Sequence, residues 1–316
     1  MTVVASPALL HPHPSPSLLL ALLEGHLPYS LPLYSTLFTP GTPTPVCASF
    51  SPGDLPSPND NHGPWLVLAD LGNQIRFFCS FEAKQPLGQN DQAAAETLVA
   101  RALREYLTLH RGERTVIRIG AIPDLWVPAV EREFNCKVLS PSQIWSTPAL
   151  ASSSRALPEP PALPEGMYFG PVREEHIPEI LSTSEVPHPP SYLSTRLAYT
   201  SALFSSPAAA PAAPSSSREL LIAHCITHRD GSIGTVHVHP SYRRHGLGKL
   251  LLRDRIAAMH REGDGEGEAY CYVSRSNERS QALMRSVGMV PSEERGDVSW
   301  AVVELPTLLA AAATTC

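Results

Sequence analysis

The stretch best equipped for chemistry runs Gly234-Thr-Val-His-Val-His-Pro-Ser-Tyr-Arg243-Arg-His-Gly246-Leu-Gly248-Lys-Leu-Leu-Leu. It reads as a strand, a short loop with two glycines, and the start of a helix. Glycine lets the backbone curl so that successive N–H groups point into one concave site. The helix start adds unpaired N–H groups and the positive end of the helix dipole. Arg243, Arg244, His245 and Lys249 add positive charge around Gly246, Leu247 and Gly248. Such a loop suits an anion of the size of a pyrophosphate. The spacing is neither G-x-G-x-x-G nor G-x-x-x-x-G-K-[ST], which argues against a dinucleotide turn and a P-loop. Three histidines lie close by. His224 and His237 face each other across a hairpin if Asp230-Gly231 forms a two-residue turn, and His239 lies on the same face. A zinc site needs a further fixed pair of ligands that the sequence does not offer, so no metal is expected.

These residues need elements to hold them. Leu220–Thr227 and Ser232–Val238 predict two strands around the Asp-Gly turn signal, and Leu247–His260 a helix. Ala269–Val273 predicts a strand, Asn277–Val287 a helix closed by Gly288, and Val298–Leu305 a last strand. Upstream of the hairpin, Met167–Val172 predicts a strand, and Glu174–Leu181 and Tyr192–Leu203 two helices. Tyr192, Tyr199 and Phe204 read as core packing, and Cys271 as a small core residue. Earlier still, the pattern gives a helix over Leu18–Leu27, a strand over Val46–Phe50, and two strands from Trp65 and Gln74 joined near Gly72-Asn73. A helix follows from Asp91 to about His110, then a strand over Thr115–Ile119, a short helix over Trp126–Phe134 and a strand within Cys136–Ile144.

Proline separates these blocks. Of 33 prolines in 316 residues, thirteen lie in 1–64 and fourteen in 141–214. Proline breaks helix interiors and central strands, so two regular blocks each follow a proline-rich stretch. The expected organisation is a flexible leader 1–16, a first domain 17–150, a linker 151–165, a second domain 166–308 and a tail 309–316. The Pro/Ala/Ser run 205–217 has little to bury and reads as a loop. A net charge of −6 argues against a nucleic-acid partner. No purely apolar run is longer than the six residues of Leu18–Leu23, far short of a membrane span, so no membrane partner is expected. The first Lys or Arg is Arg76, and no targeting signature opens the sequence. Six scattered cysteines without a CxxC pair read as reduced thiols in a cytoplasmic protein.

The Arg243-Arg-His-Gly246-Leu-Gly248 loop, followed after a strand by Asn277-Glu-Arg-Ser-Gln-Ala-Leu-Met-Arg-Ser-Val-Gly288, resembles the core of the GNAT superfamily of acyl-CoA-dependent N-acyltransferases. The Val-His-Pro-Ser-Tyr-Arg and Asn-Glu-Arg-Ser-Gln runs are most similar to its glycine N-acyltransferase-like branch, as is Leu27-Pro-Tyr-Ser-Leu-Pro-Leu-Tyr34. The resemblance implies an α/β (α+β) fold. It consists of two GNAT-like domains, each a mixed, mostly antiparallel twisted sheet flanked by helices, the first degenerate. It implies acyl-CoA, with acetyl-CoA foremost, lying where the strands Ser232–Val238 and Ala269–Val273 splay apart. Main-chain groups of Val236 and Val238 would meet the pantetheine arm and the thioester oxygen, and N–H groups from Arg244 to Lys249 the pyrophosphate. Asn277 would touch the pantetheine arm or an ordered water. A small-molecule amine or amino acid would attack the thioester directly. The oligomeric state is left open.

The proton-transfer groups of that family are missing. The usual base positions, eleven and nine residues before Arg243, hold Ser232 and Gly234, and the usual acid position, seven after Asn277, holds Met284. Three readings stay open. Another group serves, with His237 the nearest titratable candidate and Tyr272 the next; or a weakly basic acceptor needs no strong base; or the protein binds acyl-CoA without turnover.

Overall fold

A computed structural model describes residues 8–39, 45–57, 63–72, 74–110, 112, 114–147, 163–184, 186, 188–205, 219–262 and 268–305. The expected leader up to 7, linker 151–162, loop 206–217 and tail 309–316 lie outside the described residues, as do Asn73, 263–267 and Cys316. The chain divides into two units, 1–142 with 293–316, and 143–292.

The first unit contains β1 (His11–Pro12), α1 (Pro16–Glu24), α2 (Leu31–Phe38), β2 (Val46–Ala48), β3 (Leu66–Asp70), β4 (Gln74–Cys79), α3 (Gln89–His110), β5 (Val116–Pro123), α4 (Val127–Glu133) and the start of β6 (Cys136–Ser146). The strand order is β1-β2-β3-β4-β5, and a strand from the far end of the sequence, Asp297–Glu304, then lies between β5 and β6. That strand pairs antiparallel with β5, placing Ala301 opposite Ile119 and Val303 opposite Ile117. β4 and β5 are parallel, and β1 to β4 pair antiparallel in sequence. The buried stripe of α3, Ala95, Val99, Ala102, Leu103, Tyr106 and Leu107, lies at helical spacing and joins this core.

Two sequence expectations change here. The leader is not frayed from residue 8 on. Leu9 and Leu10 N–H donate to the Glu105 carboxylate at 3.0 and 2.9 Å, and His11 and Pro12 pair with Ala48 and Cys47. Proline is tolerated there because β1 is an edge strand. The last strand, assigned from the sequence to the second domain, lies in the first unit, where Ala301 and Val303 are fully buried.

The second unit contains β7 (Met167–Phe169), α5 (Ile177–Thr183), α6 (Pro190–Ser194), β8 (Thr200–Ser205), β9 (Leu220–Thr227), β10 (Ile233–Val238), α7 (Leu247–Glu262), β11 (Tyr270–Ser274), α8 (Glu278–Ser286) and β12 (Val290–Pro291); the final strand is β13 (Asp297–Glu304). β7, β8, β9 and β10 form a four-stranded antiparallel sheet. One apolar cluster includes Leu247, Leu250, Leu251 and Ile256 of α7 with Met284 of α8. Another gathers Ile177, Ile180 and Leu193 on Ala202, Phe204 and Leu221.

The helix expected over Tyr192–Leu203 is a correction. A helix occupies only Pro190–Ser194, and Thr200–Ser205 is a central strand. Arg196 Nε donates to Thr227 O at 2.9 Å, pinning the bend, after which Ser201-Ala-Leu-Phe is buried between β7 and β9. A short buried apolar run has no periodicity by which to tell strand from helix.

Candidate functional site

The hairpin turn holds three residues, 229–231, not two. His228 N–H donates to Ser232 O at 2.8 Å and Gly231 N–H to His228 O at 3.0 Å, with Gly231 at φ +80. Ile233 therefore stands opposite Thr227. The register then shifts by a bulge between Gly234 and His237, with Thr235 at φ +51, and this brings His237 opposite His224 after all.

β10 and β11 run parallel and, among the described residues, touch at the bridge Ser232–Tyr270, after which β10 stays with β9 and β11 with β6. The Tyr270 hydroxyl donates to Asp230 O and ties this closed end. Along the open side, His239 N–H donates to Ile222 O at 2.8 Å, so alternation turns the N–H and C=O of Val238 away from β9. Arg243 Nε donates to that Val238 carbonyl at 2.9 Å. Val236 lies inside the bulged segment. A parting of strands with main-chain polar groups along one wall can receive a narrow, amide-bearing chain.

At the end of β10 the loop turns through Arg244 at φ +72 and Gly246 at φ +75. Two left-handed residues so close in sequence aim successive N–H groups to one side. Arg243, Arg244, His245 and Gly246 are exposed, whereas Leu247 is buried and anchors α7. The helical bonds begin with Lys249 and Leu250 N–H on Gly246 O, at 3.0 and 3.2 Å, so the N–H groups before them have no partner within the helix. Gly248 and Lys249 are half-buried on this first turn. Asn277 is the N-cap of α8, its Oδ1 accepting Ser280 N–H at 3.0 Å. That cap is a sufficient structural reason for an asparagine at this position.

The residues suggested for proton transfer separate. Ser232 is buried, and its hydroxyl donates to Asp230 Oδ1 at 2.6 Å, so it is committed to the turn. Met284 is core. Tyr272 packs edge-on to Tyr270, ring centroids 5.7 Å apart. His237 is half-buried and stacks on His224 at 5.6 Å. Burial, with Arg243 and His239 beside it, holds His237 below the usual imidazole range. Burial, with His237 beside it, lowers His224 to about 3. His239 turns to Tyr242 instead of joining the pair. Among the described residues no group of three His, Cys, Asp or Glu is placed to hold a metal. Burial raises Cys271 to about 12, in keeping with an inert core thiol.

A second cluster was not legible in the sequence. The Tyr192 hydroxyl and His228 Nδ1 share a hydrogen bond of 2.8 Å. His188 stacks on Tyr192 at 5.0 Å, and Arg229 lies over the same ring at 5.5 Å. Thr235 Oγ1 stands 3.5 Å from His228 Nε2. A side chain at Gly234 would begin 2.4 Å from that nitrogen, so the imidazole fills the space a residue 234 side chain would take. Tyr192 is therefore more than core packing, while Phe204 is core as expected. The signal available in the sequence was the absence of any side chain at 234.

Residues 212–289 match the acetyltransferase (GNAT) family. The matched segment spans β9, β10, the anion loop, α7, β11 and α8. A solved structure of a Drosophila protein is similar at 17% identity, covering 93% of this chain and 98% of its own, with a TM-score of 0.61, a likeness of fold. A tandem GNAT protein from the clavulanic acid biosynthesis pathway is similar at 14% identity, covering 94% of this chain and 99% of its own, with a TM-score of 0.48. No curated protein matches the chain. The fold is mixed α/β, with sheets flanked by helices. No helix among the described residues is long and apolar enough to cross a membrane.

Proposed function

We propose that the protein is an acyl-CoA-dependent N-acyltransferase of the glycine N-acyltransferase-like kind, moving an acyl group, acetyl first among them, to a small amine or amino acid in the cytoplasm. The observation that carries this is the divergence of β10 and β11 beyond Ser232–Tyr270, with the left-handed loop at Arg244 and Gly246 placed at its mouth. In this reading the N–H groups of residues 244–249 hold the pyrophosphate, helped by the charges of Arg243, Arg244, His245 and Lys249. The main chain of Val236 and Val238 holds the pantetheine arm and steadies the charge that develops on the thioester oxygen. Holding amine and thioester together supplies much of the acceleration. The first unit, in the same reading, is a degenerate GNAT-like domain.

A second reading is a catalytically impaired acyl-CoA-binding module, favoured by Ser232 being tied to Asp230 and Met284 being core. Calorimetric titration of the full chain with acetyl-CoA and benzoyl-CoA, followed by thiol release with a panel of amines, separates the two. Binding with release supports the enzyme, binding without release the module, and no binding rejects both.

A further inference from the structure

We propose that the His228 imidazole is the proton acceptor for the incoming amine, standing where the sequence lacks a side chain at Gly234, with Tyr192 as its positioning residue. The proposal rests on the acyltransferase reading above. A base is absent both at Ser232, just before β10, and at Gly234 within it, yet the volume beside Gly234 is not empty. His228 reaches it from the turn, with Nε2 against the Gly234 backbone and Thr235. This is two residues from Val236, at the bulge where β10 has left β11. The ring is half-buried, neither sealed in the core nor loose in water.

Its orientation is fixed from two sides. In the tautomer with hydrogen on Nδ1, the ring donates to Tyr192 Oη, which leaves the Nε2 lone pair turned toward β10. His188 stacks on the Tyr192 ring at 5.0 Å and lies tilted against the His228 ring at 5.2 Å. Other titratable or charged groups around the cluster are Arg196, whose guanidinium contacts the main-chain oxygens of Thr227 and His228, and Arg229 and Asp230 of the same turn. Burial, with Asp230 nearby, raises the Tyr192 phenol to about 12, so it stays a neutral hydroxyl partner.

The step balances as follows. The acceptor ammonium gives one proton to His228 Nε2. The freed lone pair forms an N–C bond to the thioester carbon, and the C=O π pair moves to oxygen. Its return breaks the C–S bond, and sulfur leaves with that pair as thiolate. The thiolate takes the second nitrogen proton, directly or through water, and His228 releases its proton to solvent. The products are the amide, free CoA thiol and one proton.

The test uses the full chain, acetyl-CoA, and two kinds of acceptor. Glycine, methylamine and benzylamine are charged at pH 7 and must lose a proton before attack, whereas hydroxylamine is already neutral. His228→Gln is expected to lower kcat with the charged amines about a hundredfold at pH 7, and hydroxylamine transfer less than tenfold. The loss should shrink as pH rises, with acetyl-CoA affinity within about twofold of the parent. Tyr192→Phe is expected to keep most of the rate while moving the acid limb of the pH profile. His228→Asn serves if the Gln variant fails to fold. An unchanged rate and pH profile, or an equal loss with both kinds of acceptor, overturns the proposal. So does a parent protein that binds acetyl-CoA but releases no thiol with any acceptor. A parent that does not bind acetyl-CoA instead rejects the acyltransferase reading itself.

Discussion

The two glycines of the anion loop do different work. Gly246 sits at φ +75 with open space around it, so any side chain there strains the backbone before a ligand is involved. Gly248 has no such constraint, and a Cβ would meet Leu283 at 3.4 and 3.5 Å and Val238 at 3.6 Å, ordinary contacts. Gly248→Ala is thus the cleaner probe of backbone approach. It should leave the thermal midpoint unchanged or slightly raised, since alanine is the better helix former. Calorimetry should show weaker acetyl-CoA binding, and unchanged affinity would move the pyrophosphate elsewhere. Ser232 is the opposite case, a residue with a purely local duty. Its hydroxyl and N–H both donate to Asp230 Oδ1, at 2.6 and 3.1 Å, inside a buried turn. Ser232→Ala should cost about 1–3 kcal/mol, read by chemical denaturation, because a buried carboxylate loses a donor.

At the scale of the element, the β9–β10 hairpin brings two histidines together where neither is comfortably charged. His224 stays neutral when folded but takes up a proton when unfolded, its value falling from 6.5 to about 3 on burial. The unfolded chain therefore binds the extra proton below pH 6.5, and stability falls as pH falls from there toward 3, by about 1.4 kcal/mol per pH unit. His224→Met should flatten that acid limb in denaturation midpoints measured from pH 7 to 4; an unchanged limb would mean His224 is not its source. The same hairpin shows what sequence could and could not give. The strands, the anion loop and the helix after it were legible because β-branched runs, Gly spacing and helical periodicity are local signals. The facing of His224 and His237 was anticipated from a two-residue turn, yet it arises from a three-residue turn compensated by a bulge at Thr235. The strand β8 was hidden inside an apolar run that burial makes ambiguous. The His228–Tyr192 contact joins residues 36 apart, and only the bend pinned by Arg196 brings them within reach.

For the whole molecule, the path of the chain matters more than its composition. The first unit begins at the start of the sequence and takes its strand β13 from beyond the second unit. Ending the chain at Ser292 should remove Ala301 and Val303 from the first unit's core and leave the paired edge of β5 open. The expected readout is loss of a cooperative unfolding transition for that unit, with hydrogen exchange accelerated across β5. Glu82 answers pH in the opposite sense to His224. Glu82 is buried in the first unit, and burial raises its carboxyl to about 8 even though Cys79 N–H and Trp126 Nε1 donate to it at 2.9 and 3.0 Å. Its contribution is full below 4.5 and is lost as pH rises from 4.5 through 8, so Glu82→Gln should remove a loss of stability across that window from the first unit while the acid loss at His224 remains in the second. The return of β13 also sets an order in time. On a ribosome the strands and helices of the second unit emerge in full before β13 does, so the unit encoded first is finished last. Until then β5 presents an unpaired rim to its surroundings. Chaperone contact during synthesis should therefore concentrate on the first half of the chain.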